Sequence, residues 1–288
     1  MLADVIVDQR TSIQFCRSRG GLSRLLLALG LLACLSGFSR VAEPLPAASE
    51  VTRRMLERSK AVAQADQSPQ YTYEKRSLLE HLDSAGHAFK TEEKIYQVTL
   101  INGFPFNRLV KVPGRELSAE ELKREDAREE KFRQRFGAAD EKKMLARKEP
   151  MVTPELLDRY QFVVKERVVL SNRPTLVLTF KPKAGDLPSK AVQDKLLNRM
   201  GGTLWIDEGD GDTARLAVNL VEPVSLGWFG WLGSLTRCEL TLDRQRMPDG
   251  VWVNTTQALF IQCRKLATTL RFRTTEESRG LRRLEAKR

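Results

Sequence analysis

The acidic stretch DEGDGD at residues 207–212 contains residue types from which a cation site is built. Its aspartates, Asp207, Asp210 and Asp212, alternate with glycine as in the opening of a calcium-binding loop, whose full pattern needs a glutamate at the twelfth position. The chain continues instead as TARLAVNL, a strand-like sequence. Aspartate and glycine also supply the backbone conformations of tight turns. The stretch therefore predicts a hairpin turn, with a cation site as the less favoured alternative.

The sequence contains no pattern that is typical of an enzyme active site. Its two histidines, His81 and His87, flank a predicted turn, and no cysteine or carboxylate cluster with zinc spacing surrounds them. A serine nucleophile would lie in a Gly-x-Ser-x-Gly elbow, but LGSLT at 232–236 lacks the second glycine. The glycine patterns of phosphate-binding and dinucleotide-binding loops are also absent. We therefore predict a protein that is not an enzyme and that needs no cofactor or metal.

The stretch SLGWFGWLGSL, residues 225–235, combines glycines with large apolar side chains. Trp228, Phe229 and Trp231 lie in it, and the first and last of these are two of the four tryptophans of the chain. Two interpretations stay open. The aromatic side chains pack back onto the core, or the loop covers the mouth of a cavity and dips into a bilayer surface, where tryptophan is favoured. In the second case the three side chains form a lipid-contacting loop.

The N-terminal segment 1–42 predicts export from the cell. The apolar run LLLALGLLACL at 25–35 follows three basic residues, Arg17, Arg19 and Arg24. A basic region before roughly 7–15 apolar residues is typical of a secretory signal and is too short to span a bilayer, which takes about 20 helical residues. We expect an exported bacterial protein in the periplasm or associated with the outer membrane.

Two kinds of signal cleavage are compatible with this segment. LLAC at 31–34 resembles the lipobox of bacterial lipoproteins, which makes Cys34 a candidate site of lipidation and membrane anchoring. Cleavage after Ser39 or Ala42 would instead release a soluble exported protein. The alternatives stay open at this point.

The charge of the chain favours an anionic partner. Segment 1–42 contains five arginines and two aspartates, so its removal lowers the formal net charge from +11 to +8. A basic protein is attracted to anionic lipid or nucleic acid. Because an exported protein rarely meets nucleic acid, we expect an anionic membrane surface as a partner and no nucleic acid.

The rest of the chain predicts a mainly antiparallel β protein with a few helices. Period-two alternation, as in TLVLTFKPK at 175–183, recurs in about ten segments separated by turn residues. The segment 45–65 has the apolar stripe of an amphipathic helix. No alternation of strands and helices typical of a parallel sheet is present.

The segment 117–148 differs from its surroundings because it is almost entirely charged. Ser118 and Glu121 have the spacing of a helix capping box. Few apolar residues are available for burial, so the segment predicts an exposed helix, or a helix pair broken near Gly137. A solvated insertion is the first interpretation, and a mobile lid or docking arm is the alternative.

Two cysteines remain after the export segment, Cys238 and Cys263. They lie on the two arms of a predicted hairpin whose turn at 248–250 pairs residue 238 with about residue 260. Because a disulfide needs Cα atoms within about 7 Å, two buried free thiols are the first expectation, and a bridge is the alternative.

Several turn and strand motifs, in their order, resemble the Lol-type outer-membrane lipoprotein-sorting proteins and lipoprotein carriers. They cover most of the chain from about 46 to 276 and are YTYEKR (71–76), YQVTLINGFPFNRLV (96–110), RPTLVLTFKPK (173–183), GGTLWIDEGDGDTARL (201–216) and DGVWV (249–253). They are structural motifs, so no binding residue is transferred from the family. The sequence departs from the family in the insertion 117–148 and in a basic tail, 277–288.

The resemblance implies an α+β, mainly β fold in which a strongly curved antiparallel sheet forms an unclosed half-barrel with helices on its concave side. The domain plan is an export signal region at 1–42, one half-barrel domain at 46–276 and the tail. The resemblance also implies a carrier that holds lipid or lipoprotein acyl chains in an apolar cavity. The alternative is a non-catalytic envelope scaffold or stress-sensing protein that binds an envelope protein partner through 117–148.

Overall fold

The computed structural model describes residues 43–64, 71–137, 150–189, 192–226, 233–265 and 268–284. Every element below lies in one compact unit, Leu45–Arg288. The helices are α1 (Ala48–Gln64), α2 (Ala119–Arg135), α3 (Pro154–Asp158) and α4 (Val192–Leu197). The strands are β1 (Tyr71–Leu82), β2 (Ala88–Ile101), β3 (Phe104–Lys111), β4 (Tyr160–Leu170), β5 (Arg173–Pro182), β6 (Met200–Asp207), β7 (Thr213–Leu220), β8 (Val224–Leu226), β9 (Gly233–Arg246), β10 (Trp252–Lys265) and β11 (Thr268–Arg283).

All eleven strands belong to one antiparallel sheet in the order β3-β2-β1-β11-β10-β9-β7-β6-β5-β4, with β8 beside β9. The edge strands β3 and β4 do not pair with each other, so the sheet is the unclosed half-barrel that the family resemblance implied. The additional strand is the short β8. It is separated from β7 by a break that contains Pro223, a residue that interrupts strand pairing.

Two hairpins show how local sequence fixes the strand register. Asn102 and Gly103 both have positive φ, 51° and 81°, and join the paired residues Ile101 and Phe104. Ser171 and Asn172 have φ of 50° and 60° in the turn between β4 and β5. Two-residue turns of this kind match the twist of the flanking strands. The turn at Ser171 and Asn172 ends before Arg173 and Pro174, which already belong to β5.

The C-terminal strand is longer than the sequence suggested. β11 continues to Arg283, which pairs with Tyr71, so the first part of the predicted basic tail 277–288 is strand. Charged residues of this part form ion pairs: Glu277 lies 3.8 Å from Arg76 of β1, and Arg283 lies 3.4 Å from Asp249 in the turn between β9 and β10. β11 also joins the N-terminal meander β1–β3 to the remainder of the sheet.

The best buried part of the molecule lies between α1 and one face of the sheet, which we call the inner face. Val51 and Met55, on the predicted apolar stripe of α1, are 1% and 5% exposed. They pack against three side chains of the inner face, Leu176, Leu178 and Ile206. Full burial of each aliphatic side chain contributes roughly 1.5–3 kcal/mol. This contact therefore fixes the position of α1 on the β5–β6 side of the sheet.

Candidate functional site

The inner face continues as an apolar surface beyond the strands that α1 covers. Residues directly opposite each other in an antiparallel ladder lie on the same face of the sheet. One such row across β5, β6, β7 and β9 consists of Leu178, Leu204, Leu216 and Leu242. The neighbouring row, across β5, β6, β7, β9 and β10, consists of Phe180, Gly202, Val218, Leu240 and Leu259.

The side chains at the two ends of these rows differ in how completely they are buried. Leu178, under α1, is fully buried. The side chains on β7, β9 and β10 are only partly buried, and we call this group the open apolar surface: Leu216, Val218, Leu240, Leu242 and Leu259. A contiguous partly exposed apolar surface on a folded protein is typical of a binding site.

Gly202 interrupts the second row and brings β6 and β7 close together. A Cβ atom at this position would lie 2.0 Å from the carbonyl oxygen of Ala217, so a side chain cannot be accommodated without moving the backbone. Glycine inside a strand is typical of such close approach and of a bend in the sheet. Helix α4 ends at Leu197, and both Gly201 and Gly202 belong to β6.

The inner face becomes polar on the far side of the open apolar surface. Beyond Leu242, the first row continues through Gln257, Glu276, Ser77 and Lys94 on β10, β11, β1 and β2. Lys75 and Glu276 form an ion pair there with Nζ and Oε1 3.1 Å apart, and the Lys75 ammonium lies 5.5 Å from the ring centre of Tyr96. A cavity of about 230 Å³ opens at this pair. The inner face as a whole is therefore amphiphilic.

Cys238 and Cys263 lie next to the open apolar surface, on β9 and β10, and both are free thiols. Cys238 is opposite Ile261 rather than residue 260, because a bulge between Asn254 and Thr256 shifts the predicted register. Burial raises the pKa of both thiols, and proximity of the two cysteines raises that of Cys238 further. A raised pKa disfavours the thiolate, the nucleophilic form of cysteine.

The acidic stretch 207–212 forms the predicted turn between β6 and β7, and arginines neutralise its carboxylates. Asp207 has no exposed surface and accepts two hydrogen bonds from Arg173, at 2.5 and 2.8 Å. Asp210 accepts hydrogen bonds from Arg246 and from the indole N–H of Trp252. Within the described residues, no group of histidine, cysteine, aspartate or glutamate is arranged to hold a metal ion.

The same turn attaches α1 to the sheet. Arg54 donates to the carbonyl oxygen of Glu208, and Arg58 lies 3.1 Å from Asp212 and donates to the carbonyl oxygen of Gly250. These contacts reach the β6–β7 turn and the β9–β10 turn from one helix. The acidic stretch therefore holds the helix that covers the β5–β6 half of the inner face.

The predicted charged helix is present as α2, with the Ser118–Glu121 capping box formed. None of its residues is buried, yet it lies along the edge strand β3. The Glu125 carboxylate accepts a hydrogen bond from the Leu109 backbone N–H at 3.0 Å, and Phe132 packs 5.1 Å from the ring of the buried Phe106. Free strand edges invite pairing with other chains, so α2 protects this edge.

Four residues singled out in the sequence lie outside the described residues: Cys34, Trp228, Phe229 and Trp231. The lipid-contacting loop and the lipidation site therefore stay predictions. The flanking residues Leu226 and Gly233 are paired between β8 and β9. No helix in the described ranges combines the length and the apolar character needed to cross a bilayer.

No family model matches this chain. No curated protein matches it either. Solved structures similar to it include a domain described as an outer membrane lipoprotein-sorting protein from Vibrio parahaemolyticus, with 11% identity over 80% of this chain and 92% of that one, at a TM-score of 0.32.

Two further solved structures are similar to the chain. A LolA superfamily protein from Nitrosomonas europaea has 9% identity over 82% of this chain and 94% of that one, with a TM-score of 0.27. MucB of Pseudomonas aeruginosa, in complex with MucA, has 13% identity over 82% of this chain and its full length, with a TM-score of 0.22. At TM-scores below 0.5 this likeness says nothing about what the chain binds.

Proposed function

We propose that the chain is an exported, non-catalytic binding protein or carrier for lipid or lipoprotein acyl chains, which it holds against the open apolar surface. The observation that carries the proposal is the incomplete cover of the leucine rows. Under α1, Leu178 is fully buried and the partly buried Leu204 packs against the core cluster, while Leu216, Leu240 and Leu242 on β7 and β9 keep exposed area and lie outside that cluster. An acyl chain has the shape and chemistry to complete that cover.

The physical requirements of such a site are modest. Removal of apolar area from water contributes about 25 cal/mol per Å², so covering an area on the order of 200 Å² contributes roughly 5 kcal/mol before the costs of association. Acyl chains have no hydrogen-bonding groups, so the site needs an apolar surface of suitable shape and few polar groups in fixed positions. This explains how the sequence can lack a recognisable ligand motif.

An anionic membrane surface is the partner we propose for one end of the sheet. Phe89 and Leu270 are 71% and 45% exposed there, and Arg264 and Lys265 at the end of β10 are also exposed. Basic and apolar side chains together favour the interface of a bilayer that contains anionic lipid. Gly233, which follows the predicted lipid-contacting residues in sequence, lies next to the same β10 terminus.

The proposal is tested by purifying residues 43–288 from a membrane-containing host and analysing a denatured extract by lipid mass spectrometry. We expect an acyl-containing species in stoichiometric amount. Leu240→Asn should reduce it several-fold, because it places an amide on the open apolar surface. The matched control is Thr241→Asn, which changes the adjacent residue on the opposite face of the same strand.

A protein that contains no lipid and ignores added lipid or lipopeptide would overturn the proposal. That result would favour the scaffold hypothesis. Its own test is the loss of an envelope protein partner when 117–148 is deleted.

A further inference from the structure

We infer that the polar part of the inner face is a subsite for a zwitterionic head group, one that carries both a phosphate and an ammonium group. The inference rests on the proposed function, because the head group would belong to an amphiphile whose chain lies on the open apolar surface. It names the ligand more narrowly, as a phosphoethanolamine-type lipid rather than any acylated molecule.

The first observation is the abrupt change of polarity along one row. Leu216 and Leu242 are followed on the next two strands by Gln257 and Glu276. Adjacent strands lie about 4.8 Å apart, so Glu276 lies roughly 10 Å across the sheet from Leu242. A chain that lies on the open apolar surface and points toward β11 therefore brings its polar end to the Lys75–Glu276 pair.

The second observation is the composition of the 230 Å³ cavity at that pair. Among the described residues that line it, Lys75 and Glu276 are charged and the others are neutral. The side chains of Lys75 and Glu276 are 16% and 29% exposed, so both charges are partly withdrawn from water and still reachable. Gln257, Ser278 and Tyr73 add neutral hydrogen-bonding groups.

An ion pair in the site favours a ligand that itself carries both a positive and a negative charge. A phosphate at Lys75 with no ammonium would face the Glu276 carboxylate, and an ammonium alone would face Lys75. In a partly buried site such like-charge contacts are costly. A zwitterion replaces the internal ion pair with two charge-assisted contacts and adds no net charge, which makes it the best match.

The test uses three probes that share one palmitoyl chain and differ only in the head group: lysophosphatidylethanolamine, lysophosphatidylglycerol and monopalmitoylglycerol. Binding is measured by titration calorimetry on delipidated protein, below the critical micelle concentrations. We expect the zwitterionic probe to bind about tenfold more tightly than either of the others, a factor that corresponds to about 1.4 kcal/mol.

Two variants assign the selectivity to the pair. Glu276→Gln should reverse the preference between the zwitterionic and the anionic probe, because Lys75 then attracts a phosphate without opposition. Lys75→Met should remove the preference for the zwitterionic probe and leave monopalmitoylglycerol binding unchanged. The matched control is Arg76→Met, which removes an ion-paired cation from the next residue of β1, on the opposite face.

The outcomes separate this inference from the proposed function. If no probe binds, the proposed function fails. If all three bind equally and neither variant changes the order, acyl binding stands and the head-group subsite is overturned. Free phosphoethanolamine serves as a competitor: we expect it to compete only at much higher concentration than the lipid probe. Competition at similar concentration would mean that the site serves a soluble ligand, and would also overturn the inference.

Discussion

The part of the inner face under α1 and the open apolar surface have the same strand alternation and similar aliphatic residues, but only the first contributes to the buried core. Under α1, Leu178 is fully buried, while Leu240, on the neighbouring row, is only partly buried. The difference comes from the helix and not from the strands. It teaches that one leucine-rich face can be packed into the core at one end and remain accessible at the other, according to what covers it.

The largest expected effect on stability comes from one of two single alanine substitutions, one in each region. Leu178→Ala should lower the free energy of unfolding by about 2–5 kcal/mol, because it leaves a cavity in a packed core. Leu240→Ala should cost clearly less, because its side chain is partly in contact with water, and should reduce bound lipid. Urea unfolding of delipidated protein measures the free energy of unfolding of both variants. Equal losses of stability would mean that the two halves are equally packed, and would contradict the comparison.

The next effect concerns the attachment of α1. Arg58→Ala removes the contacts with Asp212 and with the Gly250 carbonyl oxygen, and we expect a loss of about 1–2 kcal/mol in the free energy of unfolding. It should also speed proteolysis within α1. Arg53→Ala is the matched control, because Arg53 lies on the same helix in an exposed pair with Glu57. Similar behaviour of the two variants would show that the acidic turn does not hold the helix.

Acidification should loosen the covered half first. Burial by itself raises the pKa of Asp207, but the hydrogen bonds from Arg173 and from the Asp210 N–H outweigh it and hold the pKa below its ordinary value. The stabilisation is therefore complete above the unfolded pKa of about 3.9 and is lost as the pH falls through the lower folded value. As the pH falls below about 3.9, the protection from hydrogen exchange, corrected for the intrinsic exchange rate at each pH, should decrease in α1 before it does in β10. Asp207→Asn should reduce this pH dependence, and its failure to do so would contradict the assignment.

The smallest expected effect on stability comes from the predicted loop. If Trp228, Phe229 and Trp231 contact lipid, their joint change to serine should reduce bound lipid several-fold and leave the free energy of unfolding within about 0.5 kcal/mol of the unchanged protein. A large loss of stability would instead place these side chains in the core. That outcome would contradict the prediction that the loop contacts lipid.

Local residue patterns predicted most of the fold, because the signals that define it are short-range. Asn102-Gly103 marks a two-residue turn, and the alternation of Leu176, Leu178 and Phe180 marks a strand, although the structure buries both faces of β5 at Thr175 to Leu178. The structure differs from the sequence prediction where pairing with a neighbouring strand determines the register or the length of a strand. The bulge at 254–256 shifted Cys238 by one residue, and pairing with β1 extended β11 to Arg283.

The candidate site was harder to predict than the fold. Leu178 and Leu240 have equivalent positions in their strand patterns, and only the three-dimensional placement of α1 distinguishes buried from accessible leucine. Lys75 and Glu276 are 201 residues apart in sequence, so no spacing rule links them. The sequence drew attention instead to Trp228 and its neighbours, whose role stays a prediction.

The position of β11 between β1 and β10 has a consequence for the order of events during folding. Tyr71, at the start of the sheet, has its partner in Arg283, near the end of β11. Contacts that distant in sequence are slow to form, and the meander β1–β3 lacks its only neighbour in the described sheet until β11 has been synthesised. Completion of the sheet is therefore expected to be a late and slow step of folding.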